Sequence, residues 1–306
     1  MESRKRVSIA YTPDSDDAFY YDALENGQVL LPGYELEFHR QPMSVLNRLA
    51  LDGVYEVTAI SSVIYPQIAD QYAILSVGTS VGRGYGPVLV SRAPRTLEDL
   101  AGHRVGVGGI PTTGWFLLRR LCPEAVPIEM PFDRIGEAVA AGDLDAGVMI
   151  HEELLYYPQL GLHRVVDLGA EWCRSHGLPL PVGLNVIHRD LGGPVMQRVC
   201  TAIRHSLQHG LDHSHETLAR VCRFGRGEEG QCSDRFVAMF ANQDSVRMPS
   251  DVRIGLYALL GQLVDLGLST GVPLLDIVEG SDTAILSPQR VEAEERDVLV
   301  LTTEMA

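Results

Sequence analysis

A histidine that closes a short apolar run and opens a polar stretch is a candidate for proton transfer, because imidazole titrates nearest to neutral pH. His151 stands there, directly after Ala146-Gly147-Val148-Met149-Ile150. Such a run reads as a buried strand, and in an open α/β sheet ligands bind beyond the carboxyl ends of strands. Two more runs end on groups that could meet a ligand in the same place. Val57-Thr58-Ala59-Ile60 leads to the hydroxyls of Ser61 and Ser62. Arg104-Val105-Gly106-Val107 leads to Gly108-Gly109-Ile110-Pro111-Thr112-Thr113, where the free N–H groups of a helix start and the hydroxyls of Thr112 and Thr113 can converge on an oxyanion. The three ends predict one cleft with a base, hydroxyl donors and a seat for an anion, a carboxylate being the natural guest. The plainer readings are a satisfied structural histidine and a tight turn capped by threonine. Glu152 beside His151, and the anion turn in the same inferred domain, favour the functional one.

Other constellations carry less. In Gly82-Arg83-Gly84-Tyr85-Gly86-Pro87, Gly84 and Gly86 could let the backbone approach a ligand and Arg83 could pair with a carboxylate. A glycine-rich loop with a solvated arginine explains the same residues. Asp14, Asp16 and Asp17 suit the positive end of a helix, with Ser15 as its cap. A calcium loop would need another oxygen ligand and a glycine where Ala18 and Phe19 stand. A zinc helix after His151 would need histidine at Leu155, and neither a P-loop nor a complete dinucleotide fingerprint is present. No metal or redox cofactor is expected. The histidines at 205, 209, 213 and 215 recur at near-helical spacing and read as a helix face.

The elements that would hold these groups alternate. Strands are predicted over 7–11, 33–40, 56–60 and 88–90, with helices over 17–25, 45–51 and 62–72 between them. After 91–100 the unit repeats: strands to 107, over 126–130 and over 146–150, with helices over 114–121 and 134–141. A return strand over 184–188 precedes helices over 195–209, 214–223 and 252–266. This alternation predicts an α/β fold. Domain I is expected over 1–92 and 190–286, domain II over 93–189, and an acidic tail over 287–306.

With 306 residues, 45% of them hydrophobic, the chain has room for about two domains of roughly 150 residues. A formal net charge of -15 argues against a nucleic-acid partner, since phosphates are held by clustered Lys and Arg. No apolar run approaches the roughly 20 residues of a membrane span, and Val7 to Tyr11 is too short for a signal-peptide core. A cytoplasmic protein is expected, and the sequence leaves a homodimer open. Cys122, Cys173, Cys200, Cys222 and Cys232 give an odd count with no C-x-x-C pair, so reduced structural thiols are expected.

Six passages in order carry a resemblance over residues 7 to about 275. They are Tyr11-Thr12-Pro13-Asp14-Ser15-Asp16-Asp17-Ala18-Phe19, Gly82-Arg83-Gly84-Tyr85-Gly86-Pro87, Pro111-Thr112-Thr113, Met149-Ile150-His151-Glu152, Val166-Asp167-Leu168-Gly169 and Gly177-Leu178-Pro179-Leu180-Pro181. The chain resembles the menaquinone-biosynthesis enzymes of the futalosine route, the 1,4-dihydroxy-6-naphthoate synthases foremost. The resemblance implies a two-domain, periplasmic-binding-protein-like (type II) fold that closes over a cleft, in a cytoplasmic enzyme. It implies a carbon–carbon lyase acting on cyclic de-hypoxanthine futalosine, a small carboxylated molecule, with His151 as the general base and no cofactor. On that account Thr112 and Thr113 hold the carboxylate, Ser61 donates from the opposite wall, Gly84 to Gly86 shape the pocket, and Asp14 to Asp17 lie on its lip. The chain departs from the usual Ser-Pro-Cys-Pro-Asn-Asp-Thr-Phe, gaining carboxylates at Asp14 and Asp16 and losing a threonine hydroxyl at Ala18. Two other readings share the fold: a solute-binding protein for a small carboxylated ligand, and a chorismate-dehydrating enzyme, which the Pro111-Thr112-Thr113 and Ile150-His151-Glu152 passages match less well.

Overall fold

The computed structural model describes residues 5–222 and 234–281. Its strands are β1 (Lys5–Tyr11), β2 (Tyr34–Arg40), β3 (Val57–Ser61), β4 (Tyr72–Leu75), β5 (Ser80–Gly82), β6 (Val88–Ser91), β7 (Arg104–Val107), β8 (Val126–Glu129), β9 (Ala146–Met149), β10 (His163–Asp167), β11 (Leu180–His188) and β12 (Ile277–Val278). Its helices are α1 (Ser15–Glu25), α2 (Met43–Leu51), α3 (Tyr65–Ile68), α4 (Thr113–Leu121), α5 (Phe132–Ala141) and α6 (Glu153–Tyr156), then α7 (Leu168–His176), α8 (Gly193–Asp212), α9 (Ser214–Val221), α10 (Asp234–Phe240), α11 (Gln243–Val246) and α12 (Ser250–Asp265).

The strands form two sheets. One runs β12-β4-β11-β3-β1-β2, with β5 on β11, and the other runs β10-β6-β9-β7-β8. In the first sheet β1 is parallel to β2 and β3; in the second β7 is parallel to β8 and β9. The carboxyl ends of β1, β3, β7 and β9 therefore carry the loops that face across the molecule. β3 and β9 are buried at every position, as expected of short apolar strands covered on both faces. In β9, a Cβ at Gly147 would lie 2.3 Å from Ile135 Cγ2, so only glycine lets α5 lie this close and hold the strand that ends at His151. One apolar cluster joins the sheets, with Ile60 and Val186 from the first packed together with Val105 and Val148 from the second and Phe116 from α4.

Sheet membership differs from the expected division at residues 92 and 189. Val88–Ser91 pairs with β9 and β10 in the second sheet, and Leu180–His188 pairs with β3, β4 and β5 in the first. The chain crosses between sheets before β6 and again after β10, because antiparallel pairing, invisible to local periodicity, recruits those strands. The helix expected over 62–72 shortens to a 3-10 turn and α3, and Tyr72–Leu75 becomes a strand. Cys222 is disulfide-bonded, against the expectation of reduced thiols, whereas Cys122, Cys173 and Cys200 are free. An odd count without C-x-x-C spacing holds no local signal for a pairing made by tertiary structure. Cys232 and the expected tail over 287–306 lie outside the described residues.

Candidate active-site cleft

Between the sheets lies a cleft of about 650 Å³, open mouth included, lined among others by Thr12, Asp16, Ser61, Thr112, Thr113 and His151. The histidine stands two residues beyond the end of β9, in a left-handed turn with φ 54°. That conformation costs a non-glycine residue about 1–2 kcal/mol, and it turns the ring toward the first sheet. Its Nδ1 lies 2.8 Å from Asp14 Oδ2, its ring packs on Phe132 at a centroid distance of 4.4 Å, and its Nε2 has no hydrogen-bond partner. Burial works against charging the ring. The Asp14 carboxylate outweighs it by Coulombic attraction and hydrogen bonding, with Glu153 and Asp16 adding to the field, and the imidazole pKa rises to about 9.

Two further ties cross the cleft. Glu152, fully buried, accepts from the Ser15 backbone N–H at 3.2 Å and from the Ser15 hydroxyl. Asn47 on α2 donates to Ser61 Oγ and to the Pro111 carbonyl, both at 3.1 Å, while its own carbonyl accepts from the Ser61 N–H at 2.9 Å. Each tie joins a residue of the first-sheet half to one of the second, so the two halves are closed on one another.

The anion seat is built as expected in one respect and differs in another. Thr112 is the N-cap of α4, accepting from the Trp115 N–H at 3.2 Å and donating to the Gly109 carbonyl at 3.0 Å. Thr113 donates its hydroxyl to the Val182 carbonyl at 2.7 Å. Both hydroxyls are thus engaged by the protein. What remains for an anion is the start of α4, where the N–H groups of Thr113 and Gly114 precede any intrahelical acceptor and the helix dipole adds positive potential. On the opposite wall the carboxyl groups resist ionisation. Burial, then the neighbouring carboxylates of Asp17, Asp14 and Glu152, hold the Asp16 pKa well above the ordinary range, and burial pushes Asp17 up to about 6 against its hydrogen bonds from Thr12. An incoming carboxylate therefore meets less repulsion than the count of acids suggests.

Several expected site residues lie elsewhere. Arg83 is paired with Asp244 and Asp251, at 2.5 and 2.7 Å, outside the cleft lining, so its charge is already met by protein carboxylates. Gly84 donates its N–H to Cys173 Sγ at 3.2 Å, and Gly86 backs onto α7, where an added Cβ would come within 2.9 Å of Gly169 Cα. Gly86 serves packing, Gly84 supplies a left-handed turn with φ 82°, and neither is in the cleft lining. Ser62 is fully buried and absent from the lining. Asp14 and Ser15 are buried behind the surface, where they hold His151 and Glu152; Ser15 is the first helical residue, and Asp14 is the N-cap. Asn47 and the rings of Phe236 and Phe240 escaped the sequence reading. The two phenylalanines stand one helical turn apart on α10 and roof the cleft, with the Tyr20 hydroxyl donating to the Phe240 carbonyl at 2.6 Å and the Tyr85 hydroxyl to the Met239 carbonyl at 2.5 Å. Their i, i+4 spacing was the available signal.

No group of three or more His, Cys, Asp or Glu side chains among the described residues is arranged to hold a metal ion, and no described helix is long and apolar enough to cross a membrane. Residues 7–264 match the protein family described as menaquinone biosynthesis. The chain belongs to that family. A menaquinone-biosynthesis relative, the 1,4-dihydroxy-6-naphthoate synthase of Thermus thermophilus, is 41% identical over 212 residues, which are 69% of this chain and 77% of that one. A crystal structure of a protein from Archaeoglobus fulgidus superimposes with a TM-score of 0.82 at 38% identity, covering 88% of this chain and all of that one. The fold also matches the periplasmic aliphatic sulphonate-binding protein of Escherichia coli, with a TM-score of 0.62 at 12% identity over 92% of this chain and 94% of that one. The expected periplasmic-binding-protein-like architecture is the one this member of the menaquinone-biosynthesis family has.

Proposed function

We propose that the protein is a 1,4-dihydroxy-6-naphthoate synthase, a carbon–carbon lyase in which His151 is the general base. The observation that carries this reading is the His151 imidazole itself, held by Asp14 on one nitrogen and left with an unpartnered Nε2 in the same cleft as the start of α4. A carboxylated bicyclic substrate, cyclic de-hypoxanthine futalosine, would set its carboxylate on the N–H groups of Thr113 and Gly114, with Ser61 and Thr12 on the facing wall. Nε2 would then remove a proton from the sugar-derived fragment, the bond joining that fragment to the ring system would break, and the ring system would aromatise to the naphthoate. With substrate bound, the phenylalanine roof and the closed halves would shield these polar contacts from water and so strengthen them.

A base with a pKa near 9 is mostly protonated at pH 7, so catalysis draws on the minor neutral fraction and the rate should climb with pH. The decisive experiment incubates the purified protein with that substrate and follows naphthoate by mass. Wild-type protein turns it over, and His151→Gln, which keeps a donor for Asp14, loses on the order of 10²-fold or more in kcat/KM. Equal rates in wild type and His151→Gln would remove the histidine from the mechanism; no turnover by either would remove the activity.

A further inference from the structure

We propose that Asp14 is a positioning residue that presents the His151 imidazole to the cleft, an assignment that rests on the reading of His151 as the base. Asp14 is fully buried at the carboxyl end of β1, and its Oδ2 stands 2.8 Å from Nδ1. With Nδ1 in close contact with that carboxylate, loss of a proton from the ring is directed to Nε2, the buried ring nitrogen that has no partner. The aspartate belongs to the first-sheet half and the histidine to the second. The pair therefore exists only when the halves are closed, and closure and orientation of the base become one event. Glu152 reinforces it from the next residue by accepting from Ser15, the residue after Asp14.

The groups that face the ring are acidic on both sides, Asp16 and Asp17 from α1 and Glu152 and Glu153 from its own turn, while Phe132 on α5 covers one ring face. Burial opposes the charge of the ring, and Asp14 is the largest influence in its favour. Asp14→Asn keeps the shape and removes that charge. The imidazole pKa should then fall by about one to three pH units, and the rising limb of kcat/KM should move down in pH with it.

The test follows the His151 ring by NMR through a pH titration of the full chain, in wild type and in Asp14→Asn, beside kcat/KM profiles of both. The inference predicts a wild-type midpoint near 9, a lower midpoint in the variant, and a matching displacement of the rate profile. A residue that merely filled space would leave both unmoved. Coincident midpoints overturn the assignment, and so does a midpoint at or below the ordinary 6.5 in wild type, a result that stands even if Asp14→Asn fails to fold. If the midpoint shifts but His151→Gln retains full activity, the pairing holds and the general-base reading fails, so the two failures are distinct.

Discussion

The loops at 82–87 and 108–114 are both rich in glycine, both flank a strand, and both read from sequence as walls of a pocket. Only the second is one. In the first, an added Cβ at Gly82 would sit 2.0 Å from the Tyr85 carbonyl, and one at Gly169 would sit 2.2 Å from the same atom, so glycine is required where backbone meets backbone at the crossing between sheets. In the second, Thr112 to Gly114 start a helix whose unpaired N–H groups face the cleft. Glycine records that something comes close, without saying whether it is a ligand or the chain itself. Which of the two it is depends on the sheet that owns the neighbouring strand.

The sharpest difference between the loops is the company they keep. The cleft loop faces groups that titrate, and the crossing loop is tied by arginine pairs and carbonyls. Because the folded pKa of His151 is raised to about 9 from an ordinary 6.5, its contribution to stability is complete below pH 6.5 and is lost as pH rises through 9. That contribution is on the order of 3 kcal/mol. Glu153, pushed up to about 7 by burial, acts in the same direction. Urea unfolding at pH 6 and pH 9.5 should show the loss in wild type and a smaller one in His151→Gln; equal losses would break the assignment. Next in size, Gly86→Ala forces backbone apart at the crossing and should cost about 1–3 kcal/mol of stability while KM stays unchanged. Thr112→Val removes the α4 cap and should cost about 1 kcal/mol, but here KM rises because the helix start loses its geometry. Arg83→Ala, the smallest, gives up surface ion pairs worth about 0.2–1 kcal/mol with wild-type KM. A rise in KM for Arg83→Ala that matches Thr112→Val would collapse the distinction between the loops.

Much of this was legible because the informative strands are short, apolar and buried throughout. Val57–Ser61 and Ala146–Met149 announce themselves, and the residues just after them, Ser61 and His151, reach the cleft. The N-cap at Thr112 was equally plain. What escaped depends on partners distant in sequence. Tyr72–Leu75 and His163–Asp167 become strands through antiparallel pairing with β11 and β6, which local periodicity does not register. Asn47 falls within the helix expected over 45–51, and nothing local announces that its amide reaches Pro111. Asp14 and Asp16 stood out as departures from the usual motif, yet only the fold shows the first behind the histidine and the second on the cleft wall.

Unlike the ties made by His151 and Glu152, the one made by Asn47 has no ionisable partner. Its amide keeps the same hydrogen bonds at any pH the fold survives, whereas the neighbouring attachments change strength as protons come and go. Alkaline solution should therefore weaken the histidine edge, where the neutral ring keeps only its Nδ1 contact with Asp14, and leave the Pro111 edge as it is. The Ser61 hydroxyl, held by the same amide, would stay in register beside the neutral base over the whole range in which the rate climbs.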